Sequence, residues 1–312
     1  MHVTPGAATI VSQRRAVGVR LCRVLPVKQV AALFGLHWGT VKDLDKRALQ
    51  TELDPVDLSG VTLLAMDEFA IQRGHRYATV VIEPHTRRVL WVGRERSREG
   101  IRPFFELLGD AGCKAIRAVA MDMNAAYANE VRDRCPNAAI VYDLFHVVAK
   151  YGREVIDRVR VDQANLLRQQ PSARKVLKSS RWLLLRNRNK LQHQQAVQLK
   201  ELLAANQPLM TVYVLRDELK QLWFYRRATW AHRAWRHWCD QAHQSGIAAL
   251  STFAQRLQSY LHGIIARCRH PLNTSVVEGI NNTIKVIKRR AYGYRDEEYF
   301  FLKIRAAFPG AR

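Results

Sequence analysis

The sequence predicts an α/β fold: a mixed five-stranded sheet with helices on its faces, a large all-helical insertion, and a small helical unit in front. Three observations carry this expectation. "VTLLAM" (61–66) is an uncharged apolar run, the mark of a strand buried on both faces. The segments after it read as three strands, helix, strand, helix, strand. Beyond residue 150 the strand-type alternation stops, and helix-like sequence continues to about residue 268.

Each element follows from local pattern. Residues 1–20 show little periodicity and are expected to be disordered or frayed. "PVKQVAALFGLHWGTVKDLDKRAL" (26–49) reads as two short helices around a turn. Val30, Ala31, Leu33 and Phe34 give the first an apolar face, and Gly35 fits the turn. Thr40 caps or begins the second, which Val41 and Leu44 continue. "RYATVVIE" (76–83) and "RVLWVG" (88–93), joined at "EPHTR", complete an antiparallel meander with the first strand. "SREGIRPFFELLGDAG" (97–112) is helix-like and ends at Gly112. "AIRAVAMD" (115–122) is a fourth strand, "NAAYANEVRDRC" (124–135) a helix, and "AAIVYDLFHVV" (138–148) a fifth strand or strand–helix junction. That order matches a ribonuclease-H-like sheet. The expected organisation is 1–20 frayed, 21–55 helix-turn-helix unit, 56–149 first part of the core, 150–268 basic helical insertion. Residues 269–312 then supply the core's final helix, carrying Glu278, and a tail.

Charge points to the partner. Fifty Lys+Arg against 27 Asp+Glu leave +23 over 312 residues, which calls for a polyanion, and nucleic acid is the usual one. The second helix of a helix-turn-helix can enter a DNA major groove, so His37, Thr40 and Lys42 are candidate DNA contacts. Residues 151–240 carry 18 Lys+Arg against 7 Asp+Glu, with Trp182, Trp223, Trp230, Trp235 and Trp238. Such a mixture suits phosphate contacts with some stacking, while at least three of these tryptophans are expected to fill a helical core. The five cysteines form no C-x-x-C pair, which argues against a disulfide framework and a zinc ribbon. Cys239 with His232, His237 and His243 fits no zinc spacing. No signal peptide and no membrane-length apolar run is evident, so a cytoplasmic protein with no membrane partner is expected.

Three carboxylates carry the candidate chemistry. Asp67 follows the first strand and Asp122 the fourth, each after an apolar run. Those strands are neighbours in a ribonuclease-H-like sheet, and two carboxylates side by side repel unless a cation lies between them. Mg²⁺ takes hard oxygen ligands and keeps several waters, and two ions about 4 Å apart can clamp both oxygens of a phosphodiester exchange. Glu278 is the third candidate, although Ser275 to Glu278 also fits a capping box. Val277, Ile280, Ile284 and Ile287 mark one face of its helix. Glu278, Asn281, Asn282, Lys285 and Arg289 fall on the other. Gly279, about 1 kcal/mol unfavourable inside a helix, hints at something passing close to the backbone. Lys285, Lys288, Arg289 and Arg290 are candidate phosphate contacts, with Arg295, Tyr77 and His75 as weaker ones. Asp143 and His146, in "YDLFHVV", are possible auxiliaries, and Asp143 is also an alternative member of the triad.

"MDEFAIQRGHRYATVV", "AMDMNAAY", "VYDLFHVV" and "EGINNTIKVIKRRAYGYR" together resemble the DDE transposases of bacterial insertion sequences, specifically the ISL3 family, from about residue 21 to 308. The resemblance implies that Asp67, Asp122 and Glu278 match the family's catalytic acids, served by two Mg²⁺ (or Mn²⁺) ions. It implies binding of terminal inverted repeats, DNA cleavage and strand transfer, without a covalent protein–DNA intermediate. The expected partners are double-stranded DNA, as element ends and as target, and further copies of the chain assembled on it. Longer relatives carry a cysteine-rich zinc-binding segment ahead of the helix-turn-helix; this sequence starts after it, so a shortened product is expected. Two other readings stay open: a nuclease on the same fold that cuts without joining, and a DNA-binding product that regulates transposition without catalysis.

Overall fold

The computed structural model describes residues 16–53, 55–72, 74, 76–272 and 275–310, without the side chain of Ser275. A helix α1 (16–21) leads into α2 (Val27–Phe34) and α3 (Trp38–Leu53). Then come β1 (Leu63–Gln72), β2 (Arg76–Glu83), β3 (Arg88–Arg94), α4 (Arg98–Ala115), β4 (Ala118–Met121), α5 (Ala125–Arg134) and β5 (Ala139–Tyr142). The helices after β5 are α6 (Leu144–Tyr151), α7 (Asp157–Leu166), α8 (Pro171–Ser179), α9 (Arg181–Leu185), α10 (His193–Ala204) and α11 (Gln207–Gln221). They continue with α12 (Ala228–Gln244), α13 (Ala248–Leu257), α14 (Leu261–Ala266), α15 (Ser275–Arg290) and α16 (Glu297–Ala307). The five strands lie in one mixed sheet in the order β3-β2-β1-β4-β5. The chain divides into two compact units whose boundary runs through β4.

The first unit holds everything up to Val119, α5, and the chain after Leu272. Its β1–β2–β3 meander is antiparallel, as the alternating pattern predicts. β1 does not stop at Met66. Asp67 pairs with Val80, Glu68 with Thr79 and Phe69 with Ala78, and pairing reaches Gln72–Arg76 past an irregularity at Ala70. The reason is a change of period: Phe69 and Ile71 are buried while Ala70 and Gln72 face solvent, so one face of the strand continues past the charged pair. Asp67 therefore sits inside β1 rather than at its end, a correction to the sequence reading.

Two other boundaries move. α4 runs past Gly112 to Ala115, with an interruption at Gly109, whose φ of +71° glycine adopts at no steric cost. The frayed-terminus expectation covers residues 1–20; residues 1–15 are outside the described residues, and 16–20 are helical. The candidate DNA contact His75 also falls outside them.

α2 ends on Gly35, at φ +64°, with the Leu36 N–H closing back on the Ala31 carbonyl at 2.9 Å. α3 then begins at Trp38, where the Gly39 N–H donates to His37 Nδ1 at 3.2 Å, so Thr40 lies within its first turn rather than capping it. α3 is fastened to α16 by buried polar groups. Asp45, fully buried, accepts from Lys303 Nζ at 2.8 Å and from the Tyr299 hydroxyl at 2.5 Å. Lys303 also donates to the Cys22 carbonyl, at 2.6 Å. Leu49, Tyr299 and Leu302 pack around these bonds.

α15 packs on β1 and on α16. Its Val277, Ile280, Ile284 and Ile287 are buried, as their spacing predicts, and each contributes about 1.5–3 kcal/mol by leaving water. Across the sheet, Glu130 of α5 is 1% exposed and accepts from Arg98 at 2.6 Å and from Arg102 and Arg134 at 3.2 Å, clasping α4 to α5.

The second unit holds residues 120–124 and 139–272. Its core gathers Tyr151, Leu184, Leu219, Trp223, Trp235, Trp238 and Phe253. Trp235 and Trp238 stack at 5.5 Å, and the Trp238 indole N–H donates to the Leu215 carbonyl at 2.8 Å. Trp182 and Trp230 stay exposed, so three of the five tryptophans fill the core. β5 is held to these helices by the Trp223 indole N–H, which donates to the Tyr142 carbonyl at 3.1 Å. α14 presses on the same strand through Gly263, where a Cβ would stand 2.3 Å from the Tyr142 ring, so no larger residue fits.

Candidate active site

In the first unit the site starts from Asp67. Its neighbours on β1 are tied to β2, so the carboxylate is carried on rigid backbone. Asp67 Oδ1 accepts the Glu68 N–H at 2.8 Å, and Oδ2 accepts the amide Nδ2 of Asn281 on α15 at 2.7 Å. Asn281 is 6% exposed, and its Oδ1 is buried without a hydrogen-bond partner among the described residues. This corrects the sequence reading, which placed Asn281 on the exposed polar face of the helix. The residue instead borders the isoleucine stripe and points at β1, because positions 277, 280, 281, 284 and 287 form one continuous helical face. Glu278 lies one turn before Asn281 and is exposed. Among the described residues, no atom beyond its own helix and chain neighbours lies within 4 Å of where a Gly279 Cβ would be, so the helix surface is open at this glycine. The capping box falls on the Ser275 side chain, outside the described ones.

The cations after Glu278 divide into two sets. Lys288 donates to the Ala70 carbonyl at 2.9 Å, and Arg290 donates to the carbonyls of Val24 and Arg23 at 3.2 and 3.0 Å. These two fasten α15 to β1 and to the chain ahead of α2. Lys285 and Arg289 are exposed; the Lys285 ammonium donates to its helix neighbour Asn282 Oδ1 at 3.2 Å. Arg295 is exposed too, whereas the ring of Tyr77 lies under the Arg96 guanidinium at 4.4 Å. Thr40 on α3 and His37 just ahead of it are exposed, while the Lys42 ammonium pairs with Asp296 at 3.2 Å and Asp43 at 3.5 Å.

In the second unit Asp122 directly follows β4 and Asp143 directly follows β5. The Asp143 N–H donates to the Met121 carbonyl at 3.0 Å, so the two aspartates leave adjacent strand ends. Asp143 is the N-cap of α6: its Oδ1 accepts the Phe145 N–H at 2.9 Å, and its Oδ2 lies 3.1 Å from His146 Nδ1. Among the described residues, no group of three His, Cys, Asp or Glu is placed to hold a metal ion. No helix among them is long and apolar enough to cross a membrane.

Residues 64–304 match the model of a transposase family of the DDE type, ISL3 group. The transposase for insertion sequence element IS1001 of Bordetella parapertussis is 69% identical over 284 residues, covering 91% of this chain and 70% of that protein. The transposase for insertion sequence element IS1557 of Mycobacterium tuberculosis is 26% identical over 292 residues, covering 86% of this chain and 65% of that protein. This chain belongs to the ISL3 family of insertion-sequence transposases.

Sequence reasoning missed the role of Asn281, although a signal was present. An asparagine three residues after the candidate glutamate, beside Ile280 and Ile284, sits at the rim of the buried face rather than opposite it.

Proposed function

We propose that the chain cuts DNA at the ends of its element and joins the freed ends to a target, with Asp67, Asp122 and Glu278 as the acids that hold the metal. The observation that carries this reading is the seating of Asp67. It lies mid-strand on β1, fixed by the buried amide of the helix that bears Glu278, and β1 is the sheet neighbour of β4, which Asp122 follows. The ribonuclease-H-like core and the helix-turn-helix role of α2 and α3 belong to the same proposal, as does assembly of several copies on DNA in the cytoplasm.

The donor chemistry fits a hard divalent cation. All three groups are carboxylates, and Mg²⁺ or Mn²⁺ completes a partial oxygen set with water. When bound, a pair of such ions stabilises charge on the attacking and leaving oxygens of a phosphodiester. The chain's own residues do the rest. Asn281 fixes the Asp67 carboxylate in one orientation. Lys285 and Arg289, exposed on the turns after Glu278, hold the phosphates on either side of the scissile bond. Asp143 caps α6 and steers His146, which makes the pair auxiliary to Asp122.

The test is incubation with duplex DNA carrying the inverted repeats that flank the reading frame, with Mg²⁺. Nicked ends and joined product are expected. Cleavage without joining would favour a nuclease, and binding without either would favour a non-catalytic regulator.

A further inference from the structure

We infer that the outer face of α12 is a second DNA-binding surface, one that grips the phosphate backbone without reading bases. It rests on the proposal above that DNA is the substrate, and it adds a surface far in sequence from α3 and α15.

α12 is sharply two-sided. Ala231, Trp235, Trp238 and Ala242 are buried in the insertion core, whereas Trp230, Arg233, Arg236 and His237 are exposed, as are Arg226 and Arg227 just ahead of the helix. Arg226 and Arg227 lie in the turn just ahead of the helix; within it Trp230, Arg233 and His237 follow one another at three- and four-residue steps and form one stripe, flanked by Arg236. At 1.5 Å per residue the helical stripe from Trp230 to His237 is about 10 Å long, the axial length of roughly three phosphates on one strand of duplex DNA.

Its charge is weakly balanced: the one acid on α12 is Asp240, four residues after Arg236, and the two form no ion pair among the described residues. No Asp or Glu occurs from residue 219 to 239, and none of the four arginines makes an ion pair among the described residues. Some cations elsewhere are gathered around acids: Arg98, Arg102 and Arg134 share Glu130, Arg76 and Arg94 share Glu297, and Lys42 and Lys46 share Asp296. Four unpaired arginines on and just ahead of one helix repel one another, and a polyanion relieves that repulsion.

The aromatics select the kind of polyanion. Trp230 is 52% exposed, with the Arg233 guanidinium 5.1 Å from its ring, and Phe224 just ahead of the helix is 66% exposed. Planar apolar surface among arginines matches the sugar faces that lie beside the phosphates along a duplex backbone. A purely solvated stripe gains nothing from a half-exposed indole.

The experiment measures affinity for an unrelated duplex, and for one carrying the element ends, against salt concentration. The proteins are the full chain and the variant Arg226→Gln/Arg233→Gln/Arg236→Gln. A second variant, Arg87→Gln/Lys114→Gln/Lys200→Gln, removes the same charge from exposed positions elsewhere. The α12 variant should lose about two to three units of the log–log salt slope, with affinity falling by a similar factor for both duplexes. The control variant should lose less than one unit, and both variants should keep the parent's melting temperature. Equal losses in the two variants, or none in either, would overturn the α12 surface while leaving DNA binding intact. A parent chain with no affinity for any duplex would overturn the DNA-binding proposal and this surface together. Retained duplex binding with lost affinity for anionic vesicles would reassign the stripe to a lipid surface.

Discussion

The amide of Asn281 donates to the carboxylate of Asp67 across 2.7 Å, joining α15 to the middle of β1 at a point where Asn281 is buried and Asp67 half-buried. This bond sets the orientation of one candidate ligand from the helix that carries another. Asn281→Ala removes the donor and leaves a small void. Stability should fall by about 1–2 kcal/mol, and cleavage by roughly 10–100-fold, the range for partners that orient metal ligands. The apparent Mg²⁺ requirement, read from cleavage rates across a Mg²⁺ titration, should rise in the variant. An unchanged Mg²⁺ requirement would mean that Asn281 only packs.

What could be read from the sequence, and what could not, follows from the range of the forces involved. Periodicity exposed the Val277–Ile287 stripe and the meander, because burial of one face repeats every few residues. It placed Asp67 at a strand end, because charge after an apolar run resembles a terminus until Phe69 and Ile71 resume the alternation. Asn281 was assigned to the wrong face by a fraction of a turn. The partners of Lys42, Lys288, Arg290 and Asp45 were not legible. Each bond joins positions more than 200 residues apart, and no local pattern encodes such a pairing.

The buried group at Asp45 joins α3 to α16. Lys303→Met removes the cation bound to the fully buried Asp45 carboxylate and leaves it the Tyr299 hydroxyl as donor among the described residues. Removing one partner of such a pair costs about 3–5 kcal/mol. Urea unfolding should show the loss, and Asp45→Asn/Lys303→Met should recover part of it. A loss below about 1 kcal/mol would contradict the account.

The Glu130 clasp makes the first unit sensitive to acid. Burial pushes its carboxyl upward, but hydrogen bonds from Arg98, Arg102 and Arg134 outweigh burial and hold it below the ordinary value of 4.5. A depressed folded-state pKa contributes stability that is fully present above 4.5 and is lost as pH falls through the folded value. Between pH 7 and pH 3 the parent should therefore lose more stability than Glu130→Gln, as read by thermal melts at each pH. Parallel pH profiles would show that the clasp carries no linked proton.

The central claim is tested most directly by Glu278→Gln, because Glu278 is exposed and its replacement is nearly isosteric. Measured on duplexes carrying the element ends with Mg²⁺, the variant should match the parent in melting temperature and in DNA affinity. It should yield no cleaved or joined product above about one part in a thousand of the parent rate, as expected for loss of a group that acts on the transition state. Cleavage at the parent rate, or a loss of cleavage that merely tracks a loss of folding, would contradict the assignment.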